Sequence, residues 1–283
     1  MKDQIVFFNG DYLEKEAVKI SPEDRGFLFG DGVYEVIKTY QGKMFEFDAH
    51  LSRLERSLNG LEIQFEELDN LKSICHRLSC ENKLDNQDAA IYIEITRGAA
   101  RRTHCFPGKP VAPAIYMMIN PCPSTKKEQG KGVKIIFRPD IRWARCDIKS
   151  VALVANVLAT QKAVENDAAE TVFIRDGAVT EGASSNFFAV FDDVLYTHPE
   201  SHYILSGITR KVVLELCYEI GVRVKQYPIL SSRLDTADEM MVVSTTKEII
   251  PVIQYDDKKV GDGTPGPVAR ELQQAFDRAT AKL

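Results

Sequence analysis

The stretch RWARCDIKS, from Arg142 to Ser150, contains a lysine, Lys149, whose amine can form a Schiff base with a carbonyl compound in an enclosed site. Further along, the stretch TEGASSN, from Thr180 to Asn186, supplies a carboxylate at Glu181. A carboxylate in such a site can keep the ring nitrogen of a carbonyl cofactor protonated. Each residue alone is more often a solvated surface group, so the interpretation depends on the two occurring together. Together they favour pyridoxal phosphate chemistry.

The length and composition describe a globular chain that acts on a small molecule. Its 283 residues exceed the ~100–200 of one typical domain, so two domains are expected. The 44% apolar and 27% charged residues are ordinary for a globular protein. A net charge of −5 without a long basic run argues against nucleic acid and anionic membranes as partners.

Two features predict a cytoplasmic location. Residues 1–16 lack the apolar core of a secretory signal, and no apolar run approaches ~18 residues. The six cysteines are scattered without a CxxC pair, in a chain too large to need a disulfide framework. We therefore expect reduced thiols.

The patterning predicts a mixed α/β fold in two domains. Residues 123–132 have a linker composition, which separates a smaller N-terminal domain, 1–122, from a larger C-terminal domain, 133–283. In the first domain we expect two helices with leucine stripes, the earlier one capped by Asp48. Strands of that domain are predicted at Ile5–Phe8, Val33–Tyr40, Met44–Phe47, Ala90–Thr96 and Ala114–Ile119. In the second domain strands alternate with helices at Val151–Val164, at Gly207–Ile220 and from Pro267.

Two short segments could bind an anion. Ser206–Arg210 opens a helix with a glycine that allows close approach and a hydroxyl at Thr209, although a plain helix start has the same pattern. The run Ser244, Thr245 and Thr246 follows a buried strand and offers hydroxyls and amides, or else an ordinary helix cap. Arg53 lies off the leucine stripe of its helix, so amphipathicity alone assigns it to solvent.

A loop rich in cations could bind a carboxylate. It carries Arg101, Arg102 and His104, and with Tyr34 from a hairpin these groups could trap a carboxylate through charge-assisted hydrogen bonds. The ordinary alternative is a solvated connection, as charge clusters mostly are. No metal site is expected, because His198 and His202 flank a proline without further ligands nearby.

Several motifs, in order and across nearly the whole length, resemble the fold-type IV pyridoxal-phosphate enzymes, and within that group the bacterial D-amino-acid transaminases. The motifs are EDRGFLFGDGVYEVIK (23–38), HLSRL (50–54), TRGAARRTHCFP (96–107), DIRWARCDIKS (140–150), VTEGASSNFF (179–188), YTHP with ILSGITR (196–210) and STTKEIIPV (244–252). The resemblance implies a cofactor at the domain interface, with Lys149 as the Schiff-base lysine and proton carrier and Glu181 as the partner of the ring nitrogen. Glu181 is then expected to stay ionised although buried.

The resemblance also assigns the remaining contacts. Residues at phosphate-binding or ring-packing positions are Arg53, Leu205, Ile208, Thr209 and Thr245, so Arg53 is drawn away from solvent. Residues at substrate positions are Tyr34, Arg102, His104, Val36, Lys38 and Thr246. In the family the equivalents of Arg102 and His104 come from the partner subunit, which implies a homodimer. Arg101 is an unexpected second arginine, so which guanidinium faces the carboxylate stays open, and Ala183 stands where a serine is common.

The implied activity is transfer of the amino group of D-amino acids, such as D-alanine and D-glutamate, to 2-oxo acids such as 2-oxoglutarate and pyruvate. It would proceed in two half-reactions through the pyridoxamine form. An L-branched-chain transaminase on the same fold would bind the carboxylate elsewhere and leave Arg102 and His104 incidental. Aminodeoxychorismate lyase would need no amino acceptor, and a cofactor-binding protein without turnover would convert no amino acid.

Overall fold

Residues 4–283 are described by a computed structural model, and their backbone divides into two units. The first unit extends to Pro123 and takes in residues 148–153 and Leu283. The second comprises Ser124–Asp147 and Val154–Lys282. Lys149 therefore belongs to the first unit although the chain on both sides of it belongs to the second. The segment expected as a linker, 123–132, contains a short helix, and the domain boundaries stay a prediction.

The first unit is an antiparallel sheet with helices on one face. Its strands are β1 (Ile5–Phe8), β2 (Asp11–Glu14), β3 (Gly32–Tyr40), β4 (Lys43–Met44), β5 (Ala89–Thr96) and β6 (Ala114–Pro121). Its helices are α1 (Arg25–Phe29), α2 (Phe47–Gly60) and α3 (Leu71–Glu81). Within residues 4–123 the sheet has six strands, in the order β2-β1-β6-β5-β3-β4.

Alternation along β3 and β5 decides which face of this sheet is covered. Ile37, Ile91 and Ile93 point to the core, where α2 and α3 pack, while Tyr34 and Val36 are only half-buried on the other face. The predicted strand Met44–Phe47 and the predicted cap at Asp48 are both wrong. Strand β4 ends at Met44 and helix α2 begins at Phe47, because Glu46 takes a left-handed conformation (φ 52°) that turns the chain and serves as N-cap. Asp48 instead lies in the first turn, where a negative charge suits the helix dipole.

The second unit is a mixed sheet with helices against it. Its strands are β7 (Val133–Pro139), β8 (Glu170–Arg175), β9 (Ala178–Gly182), β10 (Asn186–Phe191), β11 (Val194–Thr197), β12 (Arg223–Gln226), β13 (Ile229–Leu230), β14 (Glu239–Ser244), β15 (Glu248–Tyr255) and β16 (Lys258–Lys259). Its helices are α4 (Lys126–Lys131), α5 (Val154–Glu165), α6 (Ile208–Ile220) and α7 (Pro267–Thr280). Among the described residues the main path of the sheet is β12-β11-β10-β14-β15-β7-β8-β9-β13. Strand β9 also pairs with β10 through Glu181 and Asn186, which closes the strands from β10 to β9 into a ring.

Helix α5 begins at Val154, so the prediction of a helix from Val151 is wrong at its start. The amide of Val151 donates to the carbonyl of Gly32 at 3.0 Å, and Ser150 forms an antiparallel bridge with Val33. Backbone groups that pair with β3 are not available for helical hydrogen bonds, so the helix starts after them. Within the part of the chain that the structure describes, every helix is too short or too polar to cross a bilayer.

Candidate active site

The backbone of Lys149 is held on both sides while its amine is left without an acceptor. The Tyr34 amide donates to the Lys149 carbonyl at 2.9 Å, and the Lys149 amide donates to Ser57 Oγ at 3.2 Å. The half-buried amine lies 4.1 Å from the centroid of the Tyr34 ring, on its face. Among residues 4–283 this Nζ has no hydrogen bond to an acceptor and no ion pair. The structure thus brings Lys149 and Tyr34 together, and their roles in the site stay a prediction.

A buried charge cluster lies in the same unit, formed by Glu35 of β3 with His50 and Arg53 of α2. Arg53 Nε donates to Glu35 Oε1 at 2.8 Å and Nη2 to Oε2 at 3.0 Å. The Nδ1 of His50 donates to the same carboxylate. Burial raises the pKa of Glu35, but the charge of Arg53, the bond and charge of His50, and the charge of Lys149 outweigh it and lower that pKa to about 2.

The cluster explains why amphipathicity misplaced Arg53. The side chain of Arg53 is buried rather than solvated, because its partner Glu35 points into the same interior and a buried carboxylate requires a counter-charge. Burial also lowers the pKa of His50, although the hydrogen bond and charge of Glu35 oppose this effect. A role of Arg53 in binding phosphate stays a prediction.

Glu181 occupies a different kind of site in the second unit, where β9 meets β10. Its Oε1 accepts from Arg142 Nη1 at 2.6 Å. Its Oε2 accepts from Asn186 Nδ2 at 3.0 Å and from the Leu205 amide at 2.9 Å. Burial raises the pKa of Glu181 to about 7, because the opposite charge of Arg142 compensates desolvation only in part.

Arg142 forms ion pairs with two carboxylates. Besides Glu181 it binds Asp140 through Nε at 3.0 Å and Nη2 at 2.9 Å, and Arg175 also approaches Asp140, at 3.2 Å. The sequence motif contains Arg142, but no role was predicted for it. Its spacing of two residues from Asp140 was the available signal, since such a pair can close a bidentate contact across a turn.

The start of helix α6 has no side chain that caps its backbone amides. Its N-cap is Gly207, no side chain caps it, and Ile208 and Thr209 are buried in its first turn. A Cβ at position 207 would come within 1.9 Å of Asn186 Oδ1, so a glycine is required there. The first amides of a 13-residue helix therefore remain available to an anion. Leu205 lies just before the helix, and its amide donates to Glu181.

The remaining predicted cofactor and substrate residues occupy two further places. Thr245 and Thr246 form a half-buried turn after β14 in the second unit. Val36 and Lys38 share the strand face of Tyr34 in the first unit, and the Lys38 amine lies 4.7 Å from the Tyr40 ring centroid.

The cationic loop of the first unit stands apart from Tyr34. Arg102 and His104 are exposed and lie against Phe29 of α1, at 5.2 Å and 5.8 Å from its ring centroid. Among residues 4–283 neither forms a hydrogen bond or ion pair with Tyr34 of the same chain. Arg101 is exposed as well. In the described part of the chain no group of three or more His, Cys, Asp or Glu side chains could hold a metal ion.

The chain matches a known enzyme family along most of its length. The chain belongs to that family: the family described as Amino-transferase class IV matches residues 32–255. The predicted membership and the fold-type IV architecture are confirmed.

Individual relatives are similar over almost the whole chain. A D-alanine aminotransferase of Staphylococcus epidermidis is 42% identical over 275 residues, covering 96% of this chain and 96% of the relative. A D-alanine aminotransferase of Bacillus licheniformis is 42% identical over 276 residues, covering 97% of this chain and 96% of the relative.

A solved structure of a branched-chain amino acid aminotransferase shares the fold. This enzyme, from Escherichia coli, superposes on the chain with a TM-score of 0.90 at 26% identity. The superposition covers 98% of this chain and 94% of that one.

Proposed function

We propose that this protein is a pyridoxal-phosphate-dependent transaminase that transfers the amino group of D-amino acids, such as D-alanine and D-glutamate, to 2-oxo acids such as 2-oxoglutarate and pyruvate. The observation that carries the proposal is the Lys149 amine, which lies over the Tyr34 ring without an acceptor among the described residues. The 42% identity to D-alanine aminotransferases over nearly the full length supports the substrate class.

The groups present fit pyridoxal phosphate in their chemistry. Lys149 supplies an amine for the aldehyde, Glu181 a carboxylate for the ring nitrogen, and the α6 terminus uncapped amides for the phosphate. The close approach that Gly207 allows beside Asn186 is the backbone cradle that a phosphate needs. When bound, pyridoxal phosphate would supply the electron-withdrawing ring that makes the substrate Cα proton removable.

The chain's own residues divide the remaining work. Lys149 Nζ would carry the proton to and from the substrate Cα, and Tyr34 would hold that amine on the face of its ring. Glu181 has one contacting arginine, which it shares with Asp140, so a cationic N–H would be its second counter-charge. Thr245, Thr246, Arg53 and Leu205 keep their predicted cofactor and substrate contacts as part of this proposal.

The proposal includes a homodimer in which Arg102 and His104 reach the partner's substrate. Helix α5 supports it, because its outward face is apolar: Val154, Val157, Leu158 and Val164 are 74%, 63%, 55% and 63% exposed. Apolar side chains exposed together on one face are a common feature of protein interfaces. Changing Leu158→Asp should give a monomer by sedimentation velocity that has lost D-alanine turnover, and a fully active monomer would contradict the shared site.

A cytoplasmic location is part of the same proposal. It is supported by the six cysteines, which are all free thiols among the described residues.

The L-branched-chain transaminase is the second candidate, because a solved structure of that activity superposes on this chain with a TM-score of 0.90. The deciding difference is the substrate carboxylate. On the D-selective proposal, Arg102→Ala removes charge-assisted hydrogen bonds and raises the KM for D-alanine about ten- to a hundredfold. On the L-selective alternative the same change has no effect on turnover of L-leucine.

The decisive experiment mixes the cofactor-loaded protein separately with D-alanine and with L-leucine and follows the visible spectrum. The proposal predicts that D-alanine alone converts the cofactor to pyridoxamine phosphate, and that 2-oxoglutarate then restores the starting spectrum. Conversion by L-leucine alone would establish the branched-chain activity. Pyruvate release from an aminodeoxychorismate substrate without any 2-oxo acid would establish the lyase. A Lys149→Ala variant is the control and should convert neither amino acid.

A further inference from the structure

The motif EDRGFLFGD, Glu23 to Asp31, has no role in the site described so far, yet it is joined along its length to the cationic loop. The Arg25 amide donates to the Gly98 carbonyl at 3.0 Å, and the Ala100 amide donates to the Glu23 carbonyl at 3.2 Å. Asp24 caps helix α1 and accepts from Thr96 Oγ1 at 2.9 Å. The loop that bears Arg102 and His104 therefore begins on this motif.

Side chains of the motif then fix the backbone on both sides of His104. Arg25 is 4% exposed, and its Nη1 donates to the carbonyls of Thr103 at 2.8 Å and Cys105 at 3.3 Å. The guanidinium is held by Asp31, whose Oδ2 accepts from Arg25 Nε at 2.7 Å. Hydrogen bonds from a guanidinium are stronger than those between neutral groups, so Arg25 restrains this part of the loop.

Asp31 also anchors the start of the loop. It accepts from Arg97 Nε at 2.8 Å and Nη2 at 3.0 Å, and the Arg97 amide donates to the Asp31 carbonyl at 3.1 Å. Arg97 in turn donates to the carbonyls of Leu61 at 2.6 Å and Glu62 at 2.9 Å, at the end of helix α2. The loop is thus tied through one carboxylate to the body of the first unit.

Phe29 provides the contact with the two functional side chains themselves. The guanidinium of Arg102 lies 5.2 Å from its ring centroid, within cation–π range, and the His104 ring lies 5.8 Å away at an angle of 54°. The guanidinium of Arg25 lies 4.8 Å from the same centroid. One ring therefore limits the rotamers of both exposed side chains, which would otherwise be free in solvent.

We propose that the segment Glu23–Asp31 sets the affinity for the substrate carboxylate, with Phe29 and the Arg25–Asp31 pair as positioning residues that hold Arg102 and His104. The inference rests on the proposed function, because it takes Arg102 and His104 as the carboxylate-binding groups. Neither Phe29 nor Arg25 touches the substrate; each acts by restricting side chains that do, so the effect falls on substrate binding rather than on the chemical step.

The test uses Phe29→Leu in the cofactor-loaded enzyme, which removes the ring while keeping an apolar side chain. We expect the KM for D-alanine to rise about tenfold, with kcat within about twofold and pyridoxal phosphate affinity unchanged. Phe29→Tyr keeps the ring and should restore the original KM. Tyr12→Leu is the matched control. Tyr12 lies in the edge strand β2, and its ring centroid is 3.8 Å from the guanidinium of Arg77. Its removal should leave the KM unchanged.

Two further variants separate positioning from a general loss of structure. Arg25→Lys keeps the positive charge near Asp31 but gives up the contacts with the Thr103 and Cys105 carbonyls, so it should also raise the KM with little change in kcat. In the triple variant Phe29→Leu with Arg102→Ala and His104→Ala, the KM should match that of the pair Arg102→Ala and His104→Ala, because Phe29 acts through those two side chains.

The outcomes are distinct. If the unaltered protein does not turn over D-alanine, the proposed function fails. If it does, and Arg102→Ala raises the KM while Phe29→Leu leaves it unchanged or lowers kcat and cofactor affinity together, the positioning role is overturned and the proposed function stands. A KM that Phe29→Leu raises further in the variant lacking both Arg102 and His104 would also overturn it.

Discussion

Glu35 and Glu181 are both buried and both paired with an arginine, yet their pKa values move in opposite directions. The pKa of Glu35 falls to about 2 and that of Glu181 rises to about 7. Burial raises both, so the difference lies in the counter-charges. Glu35 accepts two hydrogen bonds from Arg53 and one from His50, and the charge of Lys149 lowers its pKa further, whereas Glu181 contacts one arginine that also binds Asp140.

The comparison separates a carboxylate whose charge is compensated within the chain from one whose charge is compensated only in part. The negative charge of Glu35 is compensated by groups of its own unit. The negative charge of Glu181 is compensated only in part by Arg142. A cationic N–H of a ligand would therefore stabilise the ionised form of Glu181 strongly. Its pKa near 7 in the protein alone means that the predicted ionised state depends on that ligand, since Arg142 does not secure it.

Removing the charge of Glu181 should have the largest effect of the changes that distinguish the two carboxylates. In Glu181→Gln the ring nitrogen of the cofactor loses its counter-charge, and we expect kcat to fall about a thousandfold, or ~4 kcal/mol, as for the loss of one preorganised electrostatic group. Stopped-flow measurement of cofactor conversion by D-alanine gives the rate. Glu35→Gln is the matched control, and an equal loss in both variants would remove the distinction between the two carboxylates.

Glu35 should instead govern stability in acid. Its pKa of about 2 lies below the ordinary 4.5, so the folded state binds fewer protons than the unfolded state between these values. Its stabilisation, about 3 kcal/mol, is present above the ordinary pKa and is lost as the pH falls through the folded pKa. Urea unfolding of the parent and Glu35→Gln should show a gap at pH 7 that narrows towards pH 2, and a gap independent of pH would contradict this.

The smallest expected effect concerns Arg142. Its charge opposes the effect of burial on Glu181, so Arg142→Gln should raise the pKa of Glu181 further, by about one unit or ~1.4 kcal/mol. Carbon-13 NMR of labelled glutamate in the cofactor-free protein measures it. Arg175→Gln is the control, because Arg175 contacts Asp140 but not Glu181. A Glu181 pKa that stays near 7 without Arg142 would show that the pair is electrostatically unimportant.

The sequence was sufficient for the family and the fold class, which depend on residue type and local order. Lys149, Glu181 and the glycine at the start of α6 were all recognisable from short motifs, and the main helices and strands followed from periodicity. The exposed cations of the loop were also recognisable, although their support by Phe29 was not, because no pattern links a short helix to a loop so far along the chain.

Other features depend on contacts between distant elements. Arg53 falls on the polar side of its helix by periodicity, which takes no account of a carboxylate at Glu35 on the facing strand. The start of α5 was misplaced because Ser150 and Val151 pair with β3, a tertiary interaction that overrides their helical pattern. Membership of the Lys149 segment in the first unit was likewise not deducible from a linear division of the chain.

The most direct test of the account is the protonation of the cofactor ring nitrogen, measured by nitrogen-15 NMR on protein reconstituted with ring-labelled pyridoxal phosphate. We predict a protonated nitrogen at neutral pH in the parent protein and in Glu35→Gln, and an unprotonated one in Glu181→Gln. An unprotonated nitrogen in the parent, or the same signal with and without the Glu181 carboxylate, would contradict the assignment of Glu181 as the partner of the cofactor ring nitrogen.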